Sequence, residues 1–132
     1  MAKITVTIAG LGRERYNRKT DAKHTFEITG VEDRPGVLKD IEKMDVADRF
    51  VRSLPDAARD RDIVVLAMPY AEARRTYRDL GPAMRPGGVL LDFSPLKLPS
   101  QQWARDYLNP EAHHIGMTAI VNPRYLFDGL YD

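Results

Sequence analysis

Gly10 and Gly12 stand directly after the apolar run Ile4 to Ala9, and an acidic pair, Glu32-Asp33, follows in the same half of the chain. A strand that ends in G-x-G turns tightly and, lacking Cβ atoms, lets its backbone N–H groups approach a diphosphate. A carboxylate roughly 20 residues further on is placed to accept hydrogen bonds from a ribose hydroxyl. Gly10, Leu11 and Gly12 together with Glu32 and Asp33 therefore outline a nucleotide site. The outline is incomplete, because Arg15 occupies the position of the third glycine in G-x-G-x-x-G. The same residues also suit a plain strand-to-loop turn and a solvated acidic corner.

Other chemistry-bearing positions are those just after strand-like runs: Met68-Pro69 after the fourth, Ser94 and Lys97 after the fifth. A carboxylate at Glu32 or Asp33 favours NAD, since it would repel a 2′-phosphate, whereas the neighbouring Arg34 would compensate and admit NADP. The segment after Gly12 carries Arg13, Arg15, Arg18, Lys19 and Lys23 but almost no apolar surface apart from Tyr16. It does not fit a helix packed on a sheet, and is either a polar loop or a grip for phosphates. His113 and His114 are adjacent on a short strand, so they point to opposite faces and do not jointly chelate a metal; no metal site is expected.

The elements that position these residues alternate between strand and helix patterns. Ile4 to Ala9, His24 to Val31, Arg49 to Val51, Asp62 to Met68, Val89 to Phe93 and His114 to Met117 read as strands. Helical spacing follows Pro35-Gly36 at Val37, Leu38, Ile41 and Met44, and recurs at Ala73, Tyr77, Leu80 and Met84. Leu54 to Ala58 reads as a short helical turn, and Ser100 as the cap of a further helix carrying Trp103, Tyr107 and Leu108. Strands alternating with helices imply an α/β fold: a doubly wound, mainly parallel, Rossmann-like sheet in three α/β/α layers, with the first helix degenerate. In such sheets ligands bind beyond the carboxyl ends of the strands.

Composition sets outer bounds. A chain of 132 residues suits one domain, taken here as residues 1–132. With 20 Lys+Arg against 19 Asp+Glu there is no basic excess for nucleic acid, and no apolar run approaches a membrane span. The absence of cysteine removes disulfides and thiolate chemistry. A cytoplasmic protein is expected. The polar first crossover and the aromatic residues Tyr125, Phe127 and Tyr131 predict apolar surface covered by a second copy, hence a homodimer.

The order of these pieces resembles the N-terminal nucleotide-binding half of the prephenate dehydrogenase family. The resemblance rests on Gly10-Leu11-Gly12, Gly30 to Pro35, Asp62 to Pro69, Arg85 to Asp92 through Lys97, and Ile115-Gly116. It implies NAD or NADP as cofactor, a small carboxylate substrate, and cofactor contacts at Gly10, Leu11, Gly12, Glu32, Asp33, Arg34, Met68, Pro69 and Ser94. The family's D-x-x-S-x-K pattern keeps Asp92 and Lys97 but has Pro95 at the serine position, with Ser94 one residue early. Its catalytic histidine falls at Thr118, which has no pKa near neutrality and is no general base. Ser94 and His114 are the remaining candidates for catalysis. The helical second domain of the family does not follow, since the chain stops at Asp132. Two functions are compatible with this pattern: an NAD(P)-binding oxidoreductase domain that does not catalyse alone, or a non-catalytic module that has lost the cofactor. A binder of phosphorylated ligands through the basic stretch is a third.

Overall fold

The computed structural model describes residues 2–9 and 24–120. Six strands, β1 (Ala2–Ala9), β2 (His24–Val31), β3 (Arg49–Val51), β4 (Ile63–Leu66), β5 (Val89–Asp92) and β6 (His113–Gly116), form one sheet in the order β3-β2-β1-β4-β5-β6. Every neighbouring pair is parallel. The strand order runs outward in both directions from β1 and β4, so the switch point lies between their carboxyl ends. Four helices complete the described chain: α1 (Pro35–Lys43), α2 (Leu54–Ala58), α3 (Tyr70–Leu80), continued by a 3-10 turn at Gly81–Ala83, and α4 (Lys97–Tyr107).

Register explains which side chains form the core. Thr7, Val64, Leu90 and His114 lie abreast across β1, β4, β5 and β6, as do Ala9, Leu66, Asp92 and Gly116. Parallel neighbours point to the same face. On this face Ala9, Val64, Leu66 and Leu90 pack with Ala58 of α2, Tyr77 and Leu80 of α3, and Ala104 of α4. The apolar stripe Ala73, Tyr77, Leu80 and Met84 is buried throughout, as helical periodicity predicts.

Three expectations are corrected. The fourth strand is shorter than Asp62 to Met68, with Val64 and Leu66 buried and Ile63 and Val65 half-buried. Asp62 stays outside it, its carboxylate accepting from the Thr5 N–H and hydroxyl at 2.8 Å each. The sixth strand begins at His113 and ends at Gly116 rather than Met117. Ser100 is no cap; α4 starts three residues earlier, and the Ser100 hydroxyl donates back to the Leu96 carbonyl at 3.1 Å.

Candidate nucleotide site

The site begins where β1 and β2 stop. Ala9 ends β1 at 1% exposure, with only a methyl group to occupy the space above it. β2 runs beside it in register, Ala9 opposite Val31, so the next residue, Glu32, emerges at the switch-point end of the sheet. The Glu32 N–H donates to the Val51 carbonyl at 3.1 Å, tying that corner to β3 and placing Arg52 directly after the tie. On the other side Met68 and Pro69 lead from β4 into α3, whose polar face presents Glu72, Arg75, Thr76 and Asp79. Between these walls lies a cavity of about 780 Å³, a volume in the range of small-molecule sites.

Five residues singled out from the sequence come together on its lining: Glu32, Asp33, Arg34, Met68 and Pro69. Gly10, Leu11 and Gly12, expected to carry the diphosphate, fall outside the described residues, as do Arg13 to Lys23 and Tyr125 to Tyr131. Arg52 and the polar stripe of α3 are added by the structure. Their signal in the sequence is faint: Arg52 follows a three-residue strand, and the stripe emerges only when positions 72, 75, 76 and 79 are placed on one helical face.

Electrostatics at the acidic corner are dominated by one pair. Glu32, 7% exposed, accepts from Arg34 Nε at 2.8 Å and from Arg34 Nη2 at 2.9 Å, and its Oε1 also accepts the Arg34 N–H at 2.9 Å. The guanidinium bonds hold the Glu32 carboxyl below the usual carboxylate range, outweighing the opposing effect of burial. In α3, Arg75 and Asp79 pair at 3.4 Å.

Ser94 and His114 are placed elsewhere. Both belong to a buried polar network between the sheet, α3 and α4, and neither lines the large cavity. Asp92, fully buried at the end of β5, accepts from the Tyr77 hydroxyl and from the Ser94 N–H, each at 2.7 Å. Burial alone would raise its pKa, but hydrogen bonds from Ser100, Ser94 and Tyr77 leave it below the ordinary value. Burial pushes the Tyr77 hydroxyl far upward, with Asp92 adding to the shift, so it stays protonated. Its one proton goes to Asp92, which makes it the acceptor of His114 Nε2 at 2.8 Å and fixes His114 as the Nε2–H tautomer. Burial, assisted by Lys97, lowers the His114 pKa despite Asp92 nearby, so the ring is neutral near pH 7. Lys97 Nζ donates to the carbonyls of Ser94, at 2.7 Å, and Met117, strapping the β5 exit to the β6 exit. Asp92 and Lys97 thus hold together the exits of β5 and β6. His113 and His114 diverge as expected, the first exposed and the second turned inward.

The order 3-2-1-4-5-6, the switch-point cavity and the acid after β2 define a Rossmann-type fold. Solved structures share it. A prephenate dehydrogenase from A. aeolicus, in complex with hydroxyphenyl propionate and NAD+, matches over 98% of this chain and 48% of its own at 16% identity and a TM-score of 0.63. The Synechocystis arogenate dehydrogenase matches over 78% and 37% at 18% identity and 0.62. The 3-hydroxyisobutyrate dehydrogenase of Mycobacterium tuberculosis matches over 90% and 41% at 20% identity and 0.66. The chain spans less than half the length of each of these proteins. At such identities the likeness is one of fold. No protein-family model and no curated protein matches the sequence.

Proposed function

We propose that this chain is the nicotinamide-dinucleotide-binding domain of an oxidoreductase of prephenate dehydrogenase type. The observation that carries the proposal is the cavity at the switch point, lined by Ala9 just before Gly10-Leu11-Gly12, by Glu32, Asp33 and Arg34 after β2, and by Met68 and Pro69 after β4. The lining fits the group: a strand end without bulk for the diphosphate, a charged corner for the adenosine ribose, and an apolar exit of β4 toward the nicotinamide. Glu32 and Arg34, paired with each other, would flank the ribose, Gly10 to Gly12 would admit the diphosphate, and Met68 with Pro69 would lie on the nicotinamide side. The bound nicotinamide would supply hydride transfer, with a small carboxylate as the substrate class.

Turnover is assigned to more than this chain. Ser94 and His114 lie off the cavity lining, in the network of Asp92 and Tyr77, so neither presents a general base to the cavity. That observation favours, as the second reading, a binding or oligomerisation module without catalysis. A homodimer belongs to the proposal, supported by Phe26 at 47% and Ile115 at 48% exposure on the sheet face away from α3.

The test is a thermal melt of the 132-residue chain. Dinucleotide at a hundredfold excess over its dissociation constant is expected to stabilise the fold by about 2.7 kcal/mol. A midpoint unmoved by millimolar NAD or NADP would leave only the non-binding module.

A further inference from the structure

Resting on the dinucleotide assignment above, we infer that Arg34 and Arg52 make this site select the 2′-phosphorylated dinucleotide, NADP, over NAD. For the unphosphorylated cofactor the acid after β2 must receive the ribose diol. Here that acid is Glu32, and both of its oxygens are already engaged by the Arg34 fork while Oε1 also takes the Arg34 N–H. A carboxylate offers about four acceptor positions, so a diol can bind in bidentate fashion only by displacing a charge-assisted fork.

The same pair is well arranged for an anion. Arg34 spends its Nε–H and one Nη2 hydrogen on Glu32, which among the described residues leaves the Nη1 group and the outer Nη2 hydrogen unspent on a side chain that is 70% exposed. The outer edge of a guanidinium matches two phosphate oxygens as well as its inner edge matches a carboxylate. Arg52 follows Val51, whose carbonyl accepts the Glu32 N–H, and lines the same cavity. Arg52 has no ion pair among the described residues, whereas Arg75 is spent on Asp79. Glu32 stays ionised in the fork, so the pair carries no net charge and a phosphate is drawn by the donors on the outer edge of Arg34. Asp33 is exposed on the same corner and the Glu72 carboxylate also acts on Arg34, so the acids outnumber Arg34 and Arg52 there. Selection therefore comes from directed donors rather than from net charge, and a moderate preference is expected.

The experiment is calorimetric titration of the full chain with NADPH and with NADH. NADPH is expected to bind roughly tenfold or more tightly, the increment of one added charge-assisted contact. Arg34→Gln frees Glu32 while removing the phosphate donor, so it weakens NADPH, strengthens NADH and reverses the order. Arg52→Gln, at an exposed position on the cavity lining, weakens NADPH more than NADH and so narrows the preference. NADH binding to the wild-type chain as tightly as NADPH would overturn the inference and leave the dinucleotide site standing. An NADPH preference untouched by both substitutions would overturn the assignment to these arginines. Binding of neither cofactor would remove the dinucleotide assignment itself.

Discussion

At the residue scale the fold is organised by a few buried polar groups that satisfy one another. Tyr77 is wholly buried, and its hydroxyl is the link between Asp92 and His114. Removing it in Tyr77→Phe leaves a buried carboxylate short of one donor and His114 without an acceptor, and is expected to cost about 1–3 kcal/mol in urea unfolding. His114 sets a pH dependence whose sign follows from its lowered pKa. On acidification through about 6.5 the unfolded chain takes up a proton that the folded chain refuses, so the native state loses stability as pH falls toward the folded pKa. The unfolding midpoint is therefore expected to drop as pH falls below about 6.5, and to drop less in His114→Gln. Asp92 behaves in the same direction in a lower window: its contribution is complete above about 3.9 and is lost as pH falls through its depressed folded value. The two losses separate in a pH series because the histidine titrates first.

At the scale of elements, two junctions position the site. Gly81 caps α3 where the chain passes against the end of α4; a Cβ there would lie 2.8 Å from the Tyr107 carbonyl carbon and overlap its oxygen. Backbone does not yield as a flexible side chain does, so Gly81→Ala is expected to push α3 from α4 and to destabilise by about 2–3 kcal/mol, read by chemical denaturation. Ser53 caps α2 through its hydroxyl to the Asp56 N–H at 3.3 Å, and Ser53→Ala is expected to cost about 1 kcal/mol or less. Elements of this kind are legible where local chemistry and burial agree. His24–Val31 follows from alternation and Arg49–Val51 from its strand formers, Leu54–Ala58 reads as a short helical turn, and the structure has those bounds. The start of α4 is illegible for a specific reason. Leu98 and Pro99 look like loop, yet proline is tolerated in a first helical turn, and the Ser100 hydroxyl back-bonds to Leu96 instead of capping. Within the site, residues directly after strands could be named from the sequence. Arg52 and the Glu72-Arg75-Thr76-Asp79 stripe could not, because which polar face of α3 meets a ligand is decided by packing on the sheet.

At the scale of the whole molecule, the account makes the cleft a binding site built on one sheet and assigns turnover to more than this chain. The exposed Phe26 and Ile115, at opposite ends of one sheet face, belong to an expected homodimer, which light scattering at micromolar concentration would show at twice the monomer mass. The central claim is that a dinucleotide lies over the carboxyl ends of β1, β2 and β4. Amide chemical-shift mapping of the labelled chain during titration with NADPH tests it most directly. The account predicts the largest shifts at Glu32, Asp33, Arg34 and Met68, with the sheet interior unmoved. Shifts confined to the opposite side, around Gln101, Arg105 and Asn109, or none at saturating cofactor, would contradict it.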